Sequence, residues 1–384
     1  MKLKVGVIFG GRSVEHEVSI ISAVQAMNNI DIDKYEIVPI YITKDLQWYT
    51  GGCLRYIDTY KDYDLLKRYC KRVNLINKDG RYILQTNGLI RREIDELHLA
   101  FPIMHGANTE DGSIQGYLNM VGIPYVGSNI YSSVMAQDKV FMKQVLEVNK
   151  IPVTKYVWFG ERFYRNKKSE LFKQIENLKY PLIIKPATLG SSIGIEMITR
   201  KEEIDSTIER SFKYDSKIIV EEMVEDLIEY NCSVMLTKNG NITSEIEELV
   251  TNKDIIEYGD KLAFDSEDSS IKRTVTPKIS EKLKEEIELT SLAVFKILNM
   301  RGIARIDFLY DSKNKKLYVD EVNSIPWCFS HHLWENRNIS YKEILNIMFE
   351  DAIAMEVKHQ SMITTMDNSD IIKKLNNNKL KEMK

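Results

Sequence analysis

The chain has 384 residues, 43% hydrophobic and 28% charged, with a formal net charge of −3. That length allows two or three domains, the composition is that of an ordinary globular protein, and the near-balanced charge excludes a broad polyanion-binding face, so no nucleic-acid partner is expected. Cys53, Cys70, Cys232 and Cys328 show no C-x-x-C spacing and read as free thiols of a reducing compartment. The start Met1-Lys2-Leu3-Lys4-Val5 enters a strand without a signal-peptide pattern, and no apolar run is long enough to span a bilayer. A cytoplasmic protein without membrane contact is the expectation.

In chain order, Lys4–Phe9 reads as a strand ending in Gly10-Gly11, followed by a helix over Glu17–Met27 and strands at Tyr35–Ile42 and Leu97–Met104. Strand, glycine turn, helix, strand is the grammar of a parallel α/β layer. The charged, aromatic stretch Tyr49–Arg92 reads as an irregular insertion. A helix starts at Gln137-Asp138-Lys139 and leads to Asn149. Strand Tyr180–Lys185, the loop Pro186–Gly194 and a helix over Lys201–Tyr214 come next. Strands follow at Lys217–Glu222, Glu229–Thr237 and Asn241–Val250. The polar run Thr251–Pro277 lacks a core pattern and reads as a functional loop; Ile279–Asn299 reads as a helix, and the chain after Val357 as a polar tail.

Several short runs carry chemistry. Gly10–Ser19 joins a strand to a helix, where Glu15 is suited to an ammonium group; a capping motif with Ser13 as N-cap would read the same way. Phe101–Gly106 ends a strand with His105, at the strand end where α/β proteins place ligands. In Pro186–Gly194, Gly190 and Gly194 let backbone N–H groups approach phosphates, Ser191 and Ser192 donate, and Lys185 adds charge; an ordinary β-turn is the competing reading. Lys217–Val224 leads into a linker that offers backbone groups to a base edge, with Glu229 placed for ribose hydroxyls; a solvated acidic surface is the alternative. The strongest signal is Asp320–Pro326 with Arg305 and Asp307 upstream. Ile303–Tyr310 and Leu317–Val322 pair as a hairpin, which gathers Asp307, Glu321 and Asn323 on one face. That is an oxygen set suited to Mg²⁺ on nucleotide phosphates.

Together the motifs resemble the ATP-grasp superfamily, and more specifically the D-alanine–D-alanine ligases with their vancomycin-resistance relatives. GGRSVEHEVS, FPIMHG, TEDGSIQG, AQDK, IIKPATLGSSIG, IIVEE, RGIARIDF and DEVNSIP all match in order, from Val5 to about Leu333. The resemblance implies a three-domain α/β fold, α+β in the ATP-binding part: an N-terminal substrate domain at 1–135, ATP-grasp domains at 136–216 and 217–356, and a tail at 357–384. It implies ATP-dependent joining of two D-amino acids through an acyl phosphate, for peptidoglycan precursor synthesis, by a homodimer. Lys139, Lys185, Gly190 and Ser192 would bind phosphates. Glu221, Glu222 and Val224 would meet the adenine, and Glu229 the ribose. Asp307, Glu321 and Asn323 would hold two Mg²⁺ ions, with Mn²⁺ as a substitute. Glu15, helped by His105, would hold the ammonium of the first amino acid, Ser191 and the loop around Tyr258–Leu262 would close the site, Lys261 would reach the γ-phosphate, and Arg305 would stabilise the oxyanion.

The departures from the family pattern cluster at the second substrate. Trp327 follows Pro326 where glycine is usual, and its side chain disfavours positive φ. His332, before Leu333, replaces a serine that grips the acceptor carboxylate, and Leu262 replaces the loop tyrosine. Trp327, His332 and Leu333 are therefore assigned to the acceptor pocket. The pattern implies either D-alanine or a different acceptor, such as D-serine or D-lactate. A catalytically weak nucleotide-binding paralogue is the reading from another class. A dinucleotide-binding dehydrogenase fails for want of G-x-G-x-x-G.

Overall fold

The computed structural model describes residues 2–251 and 271–366. The N-terminal part builds a seven-stranded sheet from β1 (Leu3–Gly10), β2 (Tyr35–Ile42), β3 (Trp48–Thr50), β4 (Lys71–Lys78), β5 (Arg81–Thr86), β6 (Glu93–Leu97) and β7 (Leu99–Ile103), in the order β6-β5-β4-β3-β2-β1-β7. The central strand β1 is parallel to both neighbours. Val5, Val7 and Phe9 on its one face and Ile8 on the other are fully buried, the continuous burial expected of a parallel strand covered on both sides. Helix His16–Asn29 returns the chain from β1 to β2.

The second sheet, order β10-β9-β11-β8, uses β8 (Tyr156–Gly160), β9 (Leu182–Pro186), β10 (Glu196–Ile198) and β11 (Lys217–Glu222). The third is antiparallel, order β14-β13-β12-β15-β16, from β12 (Leu227–Thr237), β13 (Gly240–Thr251), β14 (Ile271–Val275), β15 (Ile303–Asp311) and β16 (Lys316–Asn323). Each sheet has its own apolar core: Phe101, Ile103 and Leu333 in the first, Leu171, Ile184 and Ile218 in the second, Val234, Phe295 and Phe308 in the third.

Strands Tyr35–Ile42 and Lys217–Glu222 have the bounds read from the sequence. Other readings need correction. Tyr49–Arg92 is not an irregular insertion: β3, β4 and β5 extend the first sheet, and Leu75 and Leu84 carry its core onward. The apolar residues there are sparse because one edge of the sheet faces solvent, so the alternation looked like noise. The expected strand Leu97–Met104 divides into β6 and β7 at His98. Within the expected loop Thr251–Pro277, Ile271–Val275 pairs with β13, while Tyr258–Leu262 lies outside the described residues. The expected helix Lys201–Tyr214 is a 3₁₀ turn over Lys201–Glu203 and an α-helix over Ile204–Ser211. Helix Tyr341–Gln360, not read from the sequence at all, packs Ile344, Met348 and Phe349 into the core of the first sheet.

Candidate active site

The three sheets meet at a cleft of two adjoining cavities, which share Lys139, Leu189, Glu229, Asp307 and Glu321 among their lining residues. One end is made by the first sheet. Glu15 occupies the N-cap position of helix His16–Asn29, but its side chain does not cap the helix; it accepts a hydrogen bond from Ser191 Oγ. Ser13 is thus not the cap, although its hydroxyl accepts from the Glu15 N–H (3.1 Å). Gly106 makes room for this carboxylate: it has φ +75°, and a Cβ there would lie 2.7 Å from Glu15 Oε2. Ser191 and Ser192, at the tip of the Pro186–Gly194 loop, both take left-handed backbone angles (φ 53° and 59°), which aims the loop tip into the cleft.

His105 is buried at the end of β7. Its Nε2 lies 2.9 Å from Ser22 Oγ, and burial lowers its pKa to about 4, so the ring is neutral. Glu110 was not singled out from the sequence. Burial, with the Glu15 charge beside it, pushes its carboxyl well up, against hydrogen bonds from the N–H groups of Gly106 (2.8 Å) and Ile325 (3.4 Å). What marks it, burial beside Glu15, is a product of the fold; the helix it precedes begins at Ser113.

The second end lies between the second and third sheets. Asp138 caps helix Lys139–Val148 through the N–H groups of Val140 (3.0 Å) and Phe141 (3.2 Å). This fixes Lys139 in the first turn, where its Nζ reaches Glu321 (3.3 Å) and donates to the Leu189 carbonyl (2.7 Å). Lys185 on β9 contacts Asp320 (2.8 Å) and Glu221 (3.3 Å). Burial opposes its charge, but these two carboxylates outweigh it and raise its pKa. Glu221 also meets Lys143 (3.2 Å) and accepts from Thr154 (2.7 Å). So its side chain belongs to a buried ion network, and Glu221 is also one of the residues lining the second cavity. Asp320, Lys143 and Thr154 were missed. Asp320 neighbours Glu221's partner only through the fold, and a lysine in mid-helix gives no signal by itself. Glu222 takes the Lys179 N–H (3.0 Å), and Val224, Ser192 and Glu229 line the same cavity.

Between the two ends stand β15 and β16, paired with Asp307 opposite Glu321 and Arg305 opposite Asn323. Arg305 and Asp307, two apart on one strand, share a face and form a fork: Nε to Oδ1 and Nη2 to Oδ2, both 2.7 Å. Burial works against the Arg305 charge, and Asp307 more than offsets it. Asn323 donates to Asp307 (3.0 Å), which leaves its carbonyl oxygen available as a ligand atom. Among the described residues no three His, Cys, Asp or Glu side chains gather to hold a metal by themselves. Two carboxylates and one amide oxygen are instead the incomplete set typical of Mg²⁺, whose other positions go to phosphates and water, so the residues fit such an ion.

The acceptor assignments fare differently. Trp327 lines the cavity with an ordinary backbone; the left-handed residues are Cys328, Phe329 and Ser330 after it, so the loss of glycine at 327 causes no strain there. His332 sits behind the lining with Nε2 3.3 Å from Glu247. Leu333 is fully buried in the first core and has no surface in the cavity. Lys261 lies outside the described residues.

Comparison with known proteins bears on the whole chain. Residues 4–128 match the family model described as D-ala D-ala ligase N-terminus, and residues 145–350 the one described as D-ala D-ala ligase C-terminus. The chain is 39% identical over 366 residues to the D-alanine--D-alanine ligase of Thermosipho africanus, covering 95% of this chain and 97% of that one. It superposes on the VanG D-Ala:D-Ser ligase of Enterococcus faecalis with TM-score 0.77 at 29% identity, covering 92% and 100% of the two chains. On the Bacillus anthracis D-alanine--D-alanine ligase complexed with ATP the TM-score is 0.68 at 25% identity, covering 94% and 99%. With both halves matched and the cleft assembled from the residues quoted above, the chain belongs to the D-alanine–D-alanine ligase family and has its ATP-grasp fold.

Proposed function

We infer that the protein joins two molecules of D-alanine at the expense of ATP, releasing ADP and phosphate, as a cytoplasmic step of peptidoglycan precursor synthesis. The observation that carries this reading is the placement of Arg305, Asp307, Glu321 and Asn323 between an acidic end (Glu15, Ser191) and a lysine-lined end (Lys139, Lys185) of one cleft. In this reading residues 1–135 supply the first-substrate end, and 136–216 with 217–356 enclose ATP. Val224 and the backbone at Glu221–Glu222 meet the adenine, and Glu229 the ribose.

Glu15 holds the ammonium of the first D-alanine, and neutral His105 adds a hydrogen bond without competing charge. The carboxylate then points along the cleft toward the phosphates at Lys139 and Lys185, where it attacks the γ-phosphorus and becomes an acyl phosphate. Phosphoryl transfer asks for positioned cations more than for covalent help. Mg²⁺ on Asp307, Glu321 and Asn323, two ions or Mn²⁺ in their place, would neutralise phosphate charge. The amine of the second molecule attacks the acyl carbon, and Arg305, fixed by its fork on Asp307, offers its remaining N–H groups to the oxygen that gains charge. Phosphate leaves as the peptide bond forms. A homodimer is the proposed assembly.

Phosphate release from ATP and Mg²⁺ that requires D-alanine, with D-alanyl-D-alanine identified by mass spectrometry, tests the reading. Nucleotide binding without amino-acid-dependent turnover would leave only a binding paralogue. A second reading, an acceptor other than D-alanine, is favoured by Trp327 in the cavity wall and is decided by a panel of D-amino and D-hydroxy acids.

A further inference from the structure

We propose that Cys53 and Cys70 are a modification site: a peroxide oxidises the pair to a reversible disulfide, which staples the loop between β3 and β4 at its neck. The inference stands apart from which amino acids the enzyme joins.

Strands β3 and β4 pair antiparallel, with Thr50 opposite Lys71. Between them the chain runs out through 3₁₀ turns at Gly52–Arg55 and Ile57–Lys61 and returns along helix Tyr63–Tyr69. Cys53 follows the strand pair closely and Cys70 directly precedes it, so the strand register brings the two thiols together. Their Sγ atoms lie 3.2 Å apart. Gly51 permits this approach, since a Cβ there would lie 3.0 Å from Cys70 Sγ and 3.3 Å from the Tyr69 carbonyl oxygen. A disulfide needs about 2.05 Å between its sulfurs, so about 1 Å remains to close, within reach of small side-chain torsions. Among the described residues this is the one pair of thiols in contact; Cys232 is buried in the third core, and Cys328 lies beside Ser22 Oγ (3.8 Å).

The two thiols differ in the way such a pair requires. Cys53 is half-buried and open to a small oxidant, whereas Cys70 is buried. Burial and the adjoining Cys53 sulfur push the Cys70 thiol up to about 12, which leaves the first encounter to Cys53. With hydrogen peroxide, the Cys53 thiolate attacks one oxygen. The S–O bond forms as the O–O bond breaks, and the departing hydroxide takes up the thiol's proton as water. The Cys70 sulfur then attacks the Cys53 sulfur. The S–S bond forms as the S–O bond breaks, and the second hydroxide takes the Cys70 proton. Each sulfur gives up one electron and the peroxide takes both, so two thiols and one peroxide become one disulfide and two waters. A cytoplasmic disulfide of this kind is transient, and cellular thiols reverse it by exchange.

The loop is worth holding. Its Leu54 and Leu66 are buried in the first core, and the Tyr60 ring packs 5.3 Å from Tyr41 and 6.1 Å from Phe9. A staple at the neck keeps this cover in place when oxidants threaten the fold.

The test uses the full-length enzyme, reduced with dithiothreitol, freed of it and treated with hydrogen peroxide. Remaining thiols are alkylated and the peptides mapped by mass spectrometry without reduction. A Cys53–Cys70 cross-link within one chain is expected, with Cys232 and Cys328 left reduced, and dithiothreitol should restore both thiols. C70S should stop at a sulfenic acid on Cys53, trapped by dimedone, and C53S should leave Cys70 a thiol. The cross-linked form should melt on the order of 5 °C above the same sample after dithiothreitol, because the staple restricts the unfolded chain. If either serine variant fails to fold, the wild-type map and its two melting curves decide alone. Sulfinic or sulfonic acid at Cys53 without a cross-link, cross-links only between chains, or a cross-linked form that melts no higher than the reduced one overturns the proposal.

Discussion

Glu321 faces two kinds of neighbour: Lys139 at 3.3 Å and, across the strand pair, Asp307. Removing its charge while keeping its shape leaves Lys139 without that partner and the oxygen set one carboxylate short. Glu321→Gln should therefore lower kcat at least about 100-fold, with more Mg²⁺ needed for half-maximal rate, measured by phosphate release across a Mg²⁺ titration. Arg305→Ala should cost about 3 kcal/mol or more of transition-state stabilisation, seen as a fall in kcat/KM with little change in nucleotide affinity. Glu247 allows a pH prediction. Burial alone would raise its pKa, but His332, Arg273 and Asn231 prevail and bring it down from 4.5 to about 2. The folded state then binds its proton less readily than the unfolded chain, so this stabilisation is complete above about pH 4.5 and is lost as pH falls toward 2. Spread over that window it is worth about 3 kcal/mol. Glu247→Gln should flatten the dependence of Tm on pH there; an unchanged slope would count against the ion cluster.

At the scale of elements, the link between capping and chemistry is most direct at helix Lys139–Val148. Asp138 serves as its cap and also pairs with Lys217 of β11. Asp138→Ala should cost about 1–2 kcal/mol of stability, by denaturant titration, and should raise the KM for ATP because Lys139 loses its anchored first turn. The motif-bearing elements were the readable ones. The Ile303–Tyr310 and Leu317–Val322 hairpin was legible because alternation and oxygen ligands coincide on it. Tyr49–Arg92 was not, because half-buried strands of an exposed edge are interrupted by charged residues and short turns. Glu110, Lys143 and Asp320 were given no role for another reason: what marks them is a partner distant in sequence, and spacing rules see only near neighbours. Of the acceptor residues, Trp327 stands at the cavity while Leu333 packs into the core, since an apolar residue near a site motif reads the same in either place.

For the whole molecule, three separately cored sheets leave the cleft as the place where their polar ends converge, which is why the site draws on residues from 15 to 327. The first core is closed by the last described helix: Phe349 lies edge-on to Tyr35 and Phe101, with ring centroids 5.0 Å apart in both pairs, and Trp334 is fully buried nearby. Phe349→Ala should cost about 3–5 kcal/mol, a loss large enough to appear as a separate early transition of the first sheet in thermal unfolding followed by circular dichroism. This closure sets the order in which the protein is completed. During synthesis β1 leaves the ribosome long before helix Tyr341–Gln360 exists, and until then the apolar face of the first sheet is covered only in part, by helix His16–Asn29. The opening strands must wait for nearly the whole chain, which makes the nascent N-terminal half a natural client for chaperones and a poor candidate for expression by itself.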